Sequence, residues 1–255
     1  MQLFYKKSGK GQTLIILHGL LGSLDNWQTL AKYLSEHFEV YLVDQRNHGH
    51  SPHSNVWNYE VMAEDLHELM EENKLSNVIL LGHSMGGKTA MTYAAKHPEK
   101  ISKIIVVDMG LKFYPVHHTL IIETLESVNV DTLRSRKEAE AILIQRISEA
   151  STVQFLLKNL YWLDTEDKKM AWRFNLPVIK INIENVGTET SISNCLIPTL
   201  FIRGENSDYI KNEDWPAIKE KFTHAELITI SEAGHWVHAD RPAEFLKKVL
   251  EFCRK

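Results

Sequence analysis

Cysteine is nearly absent: the 255-residue chain holds two, Cys195 and Cys253. Two thiols cannot build the disulfide framework of a small secreted domain, and their spacing is not that of metal ligands. That usage is expected of a protein in a reducing cytoplasm. Long apolar runs are also missing. Residues 14–17 and 78–81 are among the longest, far below the ~20 residues of a membrane span. The opening Met1-Gln2-Leu3-Phe4-Tyr5-Lys6-Lys7 lacks the apolar stretch of a secretory signal. Excess charge of one sign is absent too. Lys and Arg number 29 against 33 Asp and Glu, a net charge of −4 without a basic run, so there is no electrostatic footprint for nucleic acid. Neither membrane nor nucleic acid is therefore an expected partner.

What is present is ordinary globular composition, 44% hydrophobic and 24% charged, which excludes a disordered or fibrous chain. No internal repeat or low-complexity tract occurs. A chain of this length buries roughly 70–75% of its unfolded surface. Histidine is the one excess, 13 residues scattered along the chain rather than gathered in a metal tract.

Short β-branched runs at 14–17, 40–43, 78–81 and 104–107 read as strands buried on both faces. Helical patterns fill the gaps at 27–36, 59–73 and 85–96, the second with Met62, Leu66, Leu69 and Met70 on one face. This alternation predicts a parallel sheet covered on both sides. From 113 to 194 the apolar spacing is helical throughout and no strand is expected. Alternation then returns, with strands at 199–202 and 227–230 and helices at 215–222 and 243–253. The reading is one α/β core, 1–112 and 195–255, interrupted by a helical cap insertion, 113–194.

Gly82-His83-Ser84-Met85-Gly86 fits G-x-S-x-G between a predicted strand and a predicted helix. In that context the glycines let the chain bend sharply and present Ser84 at the carboxyl end of the sheet, beside a helix N-terminus. Leu17-His18-Gly19-Leu20-Leu21-Gly22 opens a loop after an earlier strand. The amides of Leu20 and Met85 are the candidate oxyanion donors, while His18 reads as a loop-holding hydrogen bonder. A serine hydroxyl needs a base, and in this order of elements the histidine comes late. His235, in Ala233-Gly234-His235-Trp236 after the last strand, is that candidate. His238 reads as packing near Pro242, and His224 lies at the wrong end of the sheet. His48 and His50 lack a third ligand, and Gly87-Lys88-Thr89 has only the tail of a phosphate loop. Neither metal nor cofactor is expected.

Together these motifs, with Asp44-Gln45-Arg46-Asn47-His48-Gly49-His50-Ser51, resemble the α/β-hydrolase superfamily. Leu20-Leu21-Gly22-Ser23-Leu24-Asp25-Asn26-Trp27 and Gly234-His235-Trp236-Val237-His238-Ala239 are similar to its small bacterial esterase and abhydrolase-11-like branch. The resemblance covers the core and leaves the insertion without a motif. It implies the α/β-hydrolase fold, a mostly parallel twisted sheet with helices on both faces, and Arg46 as a structural tie. In many such proteins the acid follows a late strand as Gly-x-x-Asp. Here Arg203-Gly204-Glu205-Asn206-Ser207-Asp208 puts Ser207 at that spacing and Asp208 one residue later. Other members place the acid where Asp108 stands, at the end of the strand 104–107. Asp108 is the preferred acid and Asp208 the alternative, with Ser207 as an auxiliary hydrogen bonder.

The function so implied is a serine hydrolase cleaving a short- or medium-chain carboxylic ester or thioester through an acyl-enzyme on Ser84. Water is the co-substrate and a small acyl ester the only expected partner; monomer and homodimer both remain open. Trp162, Leu163, Trp172 and Phe174 are expected to line the pocket, or else to form the insertion's own core. The same triad also serves C–C bond hydrolases and lyases, and the same scaffold carries catalytically idle receptors.

Overall fold

A computed structural model describes residues 1–164 and 169–255. A seven-stranded sheet organises the chain. Its strands are β1 (Tyr5–Gly9), β2 (Thr13–Leu17), β3 (Glu39–Val43), β4 (Val78–His83), β5 (Ile101–Val107), β8 (Thr199–Gly204) and β9 (Ala225–Ile230). They lie in the order β1-β3-β2-β4-β5-β8-β9, all parallel except β1, which pairs antiparallel with β3 at one edge. The four runs read as strands in the first half are the four inner ones there. Edge strand β1 escapes the sequence reading because Tyr-Lys-Lys-Ser-Gly is largely polar and exposed.

Successive strand residues face opposite sides, so each apolar run feeds two cores. Ile15, Leu17, Val78, Leu80, Ile104 and Val106 enter one cluster. Leu14, Ile16, Ile79, Leu81, Ile105 and Val107 enter the other. The first core is closed by α2 (Tyr59–Glu72) and α3 (Met85–Lys96); the second by α1 (Gln28–Leu34) and α10 (Pro242–Arg254). Asn58 caps α2 by accepting the Val61 N–H at 3.0 Å. The remaining core helices are α8 (Trp215–Lys221) and the single turn α9 (Val237–Asp240).

Between β5 and β8 lie α4 (Thr119–Ser127), α5 (Arg136–Leu143), α6 (Ala150–Leu157) and α7 (Leu176–Ile181). The expectation of helices alone is corrected here. Leu160–Trp162 and Met170–Trp172 form an antiparallel hairpin, β6 and β7. Strands of three residues are too short to display a period of two, and Leu160 also fits a helical spacing. The insertion shares a third apolar cluster with Leu21, Trp57, Tyr59, Met62 and Met85 of the core, so it is packed onto the sheet's crevice.

The two ends of the insertion are tied together. Tyr114 N–H donates to Gly187 O at 2.8 Å and Thr190 N–H to Leu111 O at 2.8 Å. Lys88, fully buried on α3, donates through Nζ to the carbonyl oxygens of Lys112, at 3.0 Å, and Thr188, one at each end. Burial pushes its ammonium down to about 7, against about 10.4 for an unfolded lysine. The unfolded chain therefore binds more protons between these values, and stability contributed by this group rises with pH there. The melting temperature of the wild type is expected to climb relative to Lys88→Met between about pH 7 and 9. Parallel curves for the two proteins would contradict the assignment.

Candidate active site

Parallel strands bring their carboxyl ends to one edge, where connecting loops form a crevice. Register places β4 and β5 side by side with His83 opposite Val107, so Ser84 and Asp108 follow on neighbouring strand ends. Ser84 is a backbone outlier, with φ 52° and ψ −117°. Such a conformation costs on the order of 1–3 kcal/mol and persists only where surroundings over-determine it. Here the Ser84 N–H donates to Val107 O at 3.0 Å, and α3 starts at the next residue. The close approach explains both glycines of the motif. A Cβ on Gly82 would lie 2.1 Å from Gly86 O, and one on Gly86 would lie 2.4 Å from Leu17 O.

His235 enters from the loop after β9. The loop passes so close to β8 that a Cβ on Gly204 would sit 2.2 Å from Gly234 O. His235 Nδ1 donates to Asp108 Oδ2 at 2.8 Å. Asp108 is fully buried and also accepts from the Gly204 N–H, at 3.1 Å, and from the Ser207 hydroxyl. Of the two candidate acids, then, the structure brings Asp108 to the histidine. Asp208 is set apart from it: its side chain is 96% exposed and pairs with Lys211 at 3.4 Å. One residue after Ser207, it has turned out of the crevice.

Burial disfavours the charged form of both partners, lowering the imidazole and raising the Asp108 carboxyl to about 7. The Ser207 and Gly204 donors oppose the rise by stabilising the carboxylate. With Nδ1 committed to Asp108, Nε2 is the ring nitrogen left free, and among the hydrogen bonds of the described residues Ser84 Oγ makes none to the ring.

Neutral histidines hold the surrounding loops, and their backbone partners fix the tautomers. His18 accepts the Gln45 N–H on Nε2 at 3.0 Å and so donates from Nδ1 to Gly19 O at 2.8 Å. His48 likewise accepts the Leu21 N–H on Nε2 at 3.2 Å and donates to Arg46 O at 2.9 Å. Burial lowers the pKa of both, which keeps them uncharged. Arg46 is buried against Asp65 and bonds Val56 O at 2.7 Å. The loop after β2 is thereby held in place. Among the hydrogen bonds of the described residues, neither the Leu20 nor the Met85 N–H has an acceptor. Among the same residues, no three His, Cys, Asp or Glu side chains gather as metal ligands, and no helix is long and apolar enough to cross a membrane.

None of the four expected pocket residues is among those lining the pocket at Ser84, and Phe174 and Trp172 fit the alternative, the insertion's own core. Ser84 lines a narrow pocket whose walls include Met109, Val116, His118, Ile183, Val186 and Tyr209. Phe174 is buried in the insertion's cluster and stacks on Trp172 at 5.4 Å, while Trp162 is 47% exposed and Leu163 half-buried. All four belong to the β6–β7 hairpin or its flanks, where short strands turn aromatic faces onto one another. Sequence reasoning missed Tyr209 and His117; the His117-His118 doublet was the signal, two polar residues opening a helical insertion.

A family model described as alpha/beta hydrolase fold matches residues 12–128. The chain is similar to Esterase YbfF of Escherichia coli, 35% identical over 240 residues, covering 94% of this chain and 92% of that protein. The chain belongs to the α/β-hydrolase family. This α/β-hydrolase is also similar to the sn-1-specific diacylglycerol lipase ABHD11 of Danio rerio, 37% identical over 255 residues (96% and 80% coverage). Among solved structures, one described as a marine microorganism esterase superposes with a TM-score of 0.94 at 46% identity, covering 98% of this chain and 99% of that one. The chain is a carboxylesterase-type hydrolase.

Two outcomes are expected. Asp108→Asn should lose about 10⁴ in turnover while Asp208→Asn loses little; equal, mild losses would contradict the geometry. Because His235 and Asp108 titrate as a unit whose upper step is set by the raised carboxyl, kcat/KM should fall as pH drops through about 7. An acid limb near 4 would show that burial does not govern the pair.

Proposed function

We propose that this α/β-hydrolase cleaves esters through an acyl-enzyme on Ser84, with His235 as base and acid and Asp108 as the orienting acid. The observation that carries the reading is the strained Ser84 turn beside the His235–Asp108 hydrogen bond. Ser84 Oγ attacks the acyl carbonyl carbon as its proton passes to His235 Nε2. The carbonyl oxygen becomes an oxyanion held by the Leu20 and Met85 N–H groups; removing one such donor typically costs about 10²–10³. Collapse expels the alcohol or thiol, which takes the proton from Nε2. Water then attacks the acyl-enzyme, giving its proton to Nε2, and the released serine recovers it. Asp108 fixes the tautomer and stabilises the imidazolium without taking the proton.

The substrate class is a short- or medium-chain carboxylic ester or thioester. Support comes from the apolar walls Met109, Val116, Ile183 and Val186 around Ser84. Residues 113–194 act as the cap that closes the crevice. The two cysteines stand unpaired, which supports a cytoplasmic setting. A p-nitrophenyl acyl ester series should show turnover that peaks at short or medium chains and vanishes in Ser84→Ala. A fluorophosphonate probe should label the wild type alone. No turnover and no label in the wild type would sink the proposal.

A further inference from the structure

The imidazole of a base held by one hydrogen bond is free to swing about that bond. His235 has one such side-chain bond, to Asp108, yet a second element fixes its plane. The Tyr209 ring stacks on the His235 ring with centroids 3.9 Å apart and 17° between planes. Tyr209 is itself held by the leading segment of the insertion. Its hydroxyl donates to His117 Nε2 at 2.6 Å, since His117 Nδ1 donates to Pro115 O at 3.1 Å. Its carbonyl accepts the Tyr114 hydroxyl at 2.6 Å, and that hydroxyl accepts the Gly110 N–H at 2.8 Å. Tyr114 in turn bonds Gly187 at the far end of the insertion.

We propose that Tyr209 is a positioning residue that holds the His235 imidazole in line with Ser84 and makes its placement depend on the cap, through His117 and Tyr114. The inference rests on His235 being the base, as proposed above. A flat ring packed parallel at 3.9 Å blocks rotation of the imidazole out of the plane set by Asp108. Proton transfer from Ser84 requires that plane, and small misplacements of a catalytic group cost about 10²-fold. The hydroxyl contributes at a distance. It pins the plate to a loop that the structure joins to both ends of the insertion, so movement of the cap moves the plate. Met109 and Val116 can sense a substrate from the same cavity, with Tyr209 as a shared wall.

The test separates plate from tether. Tyr209→Leu removes both and should lower kcat about 10²-fold with KM within about threefold. Tyr209→Phe keeps the plate and should lose about tenfold or less. His117→Ala should match Tyr209→Phe, and the double variant should be no worse than either single change, because both remove one bond. Active sites are counted by fluorophosphonate labelling, so partial unfolding does not imitate a kcat loss. The downfield Nδ1–H proton resonance of His235 provides a second readout; it should broaden in Tyr209→Leu and stay sharp in Tyr209→Phe. Losses confined to KM, additive losses in the double variant, or an unchanged resonance in Tyr209→Leu would overturn the proposal while Ser84→Ala and His235→Ala stay inactive. Activity that survives in Ser84→Ala or His235→Ala would instead overturn the underlying assignment of the base.

Discussion

The structure depends on one turn. Ser84 sits between the last residue of a fully buried strand and the first of a buried helix, in a conformation that side-chain-bearing residues rarely adopt. A turn of this kind exists only because β4 and α3 are each fixed independently, the strand by both neighbours in the sheet and the helix by the core beneath it. Gly82 and Gly86 permit the approach; the packing enforces it. The result is a hydroxyl aimed into a crevice at the sheet's carboxyl edge, with the first N–H of a helix beside it. Asp108 follows the adjacent strand β5 and His235 the edge strand β9, so the order of strands decides which residues meet.

Burial then decides their charge. His18, His48 and His83 are all held neutral by desolvation, and each uses a ring nitrogen to bind a loop backbone. His83 donates to His235 O at 2.9 Å, so the residue before Ser84 steadies the loop that carries His235. Asp108 is the exception, a buried carboxyl facing three donors, His235, Ser207 and Gly204. The Ser207 and Gly204 donors oppose, without cancelling, the desolvation that raises its carboxyl. Three of the thirteen histidines are thus uncharged connectors beside the His235–Asp108 pair.

Much of this was legible in the sequence, and the limits are physical. Buried parallel strands such as 78–81 announce themselves because both faces are apolar, and G-x-S-x-G marks the turn because a Cβ at Gly82 or Gly86 would strike backbone. The choice between Asp108 and Asp208 was not decidable from spacing. It turns on whether the chain after β8 points inward at residue 207 or 208, and one residue reverses that direction. Strand β1 and the β6–β7 hairpin were invisible for opposite reasons, one polar on an exposed edge, the other too short for a period. Tyr209 carried no signal either, since stacking on a residue 26 positions later leaves no local pattern. The aromatic residues of the insertion stay open between pocket wall and core, because a sequence does not distinguish a hairpin that packs upon itself from one that lines a cavity.

The role proposed for the Ser84 turn is to present a nucleophile that becomes acylated. The direct measurement is rapid-quench mass spectrometry of the protein mixed with a short p-nitrophenyl ester, followed by peptide mapping. The expected result is a burst of p-nitrophenol stoichiometric with enzyme, and an added acyl mass on the peptide containing Ser84. Turnover with no adduct, or with the acyl group on another residue, would contradict it.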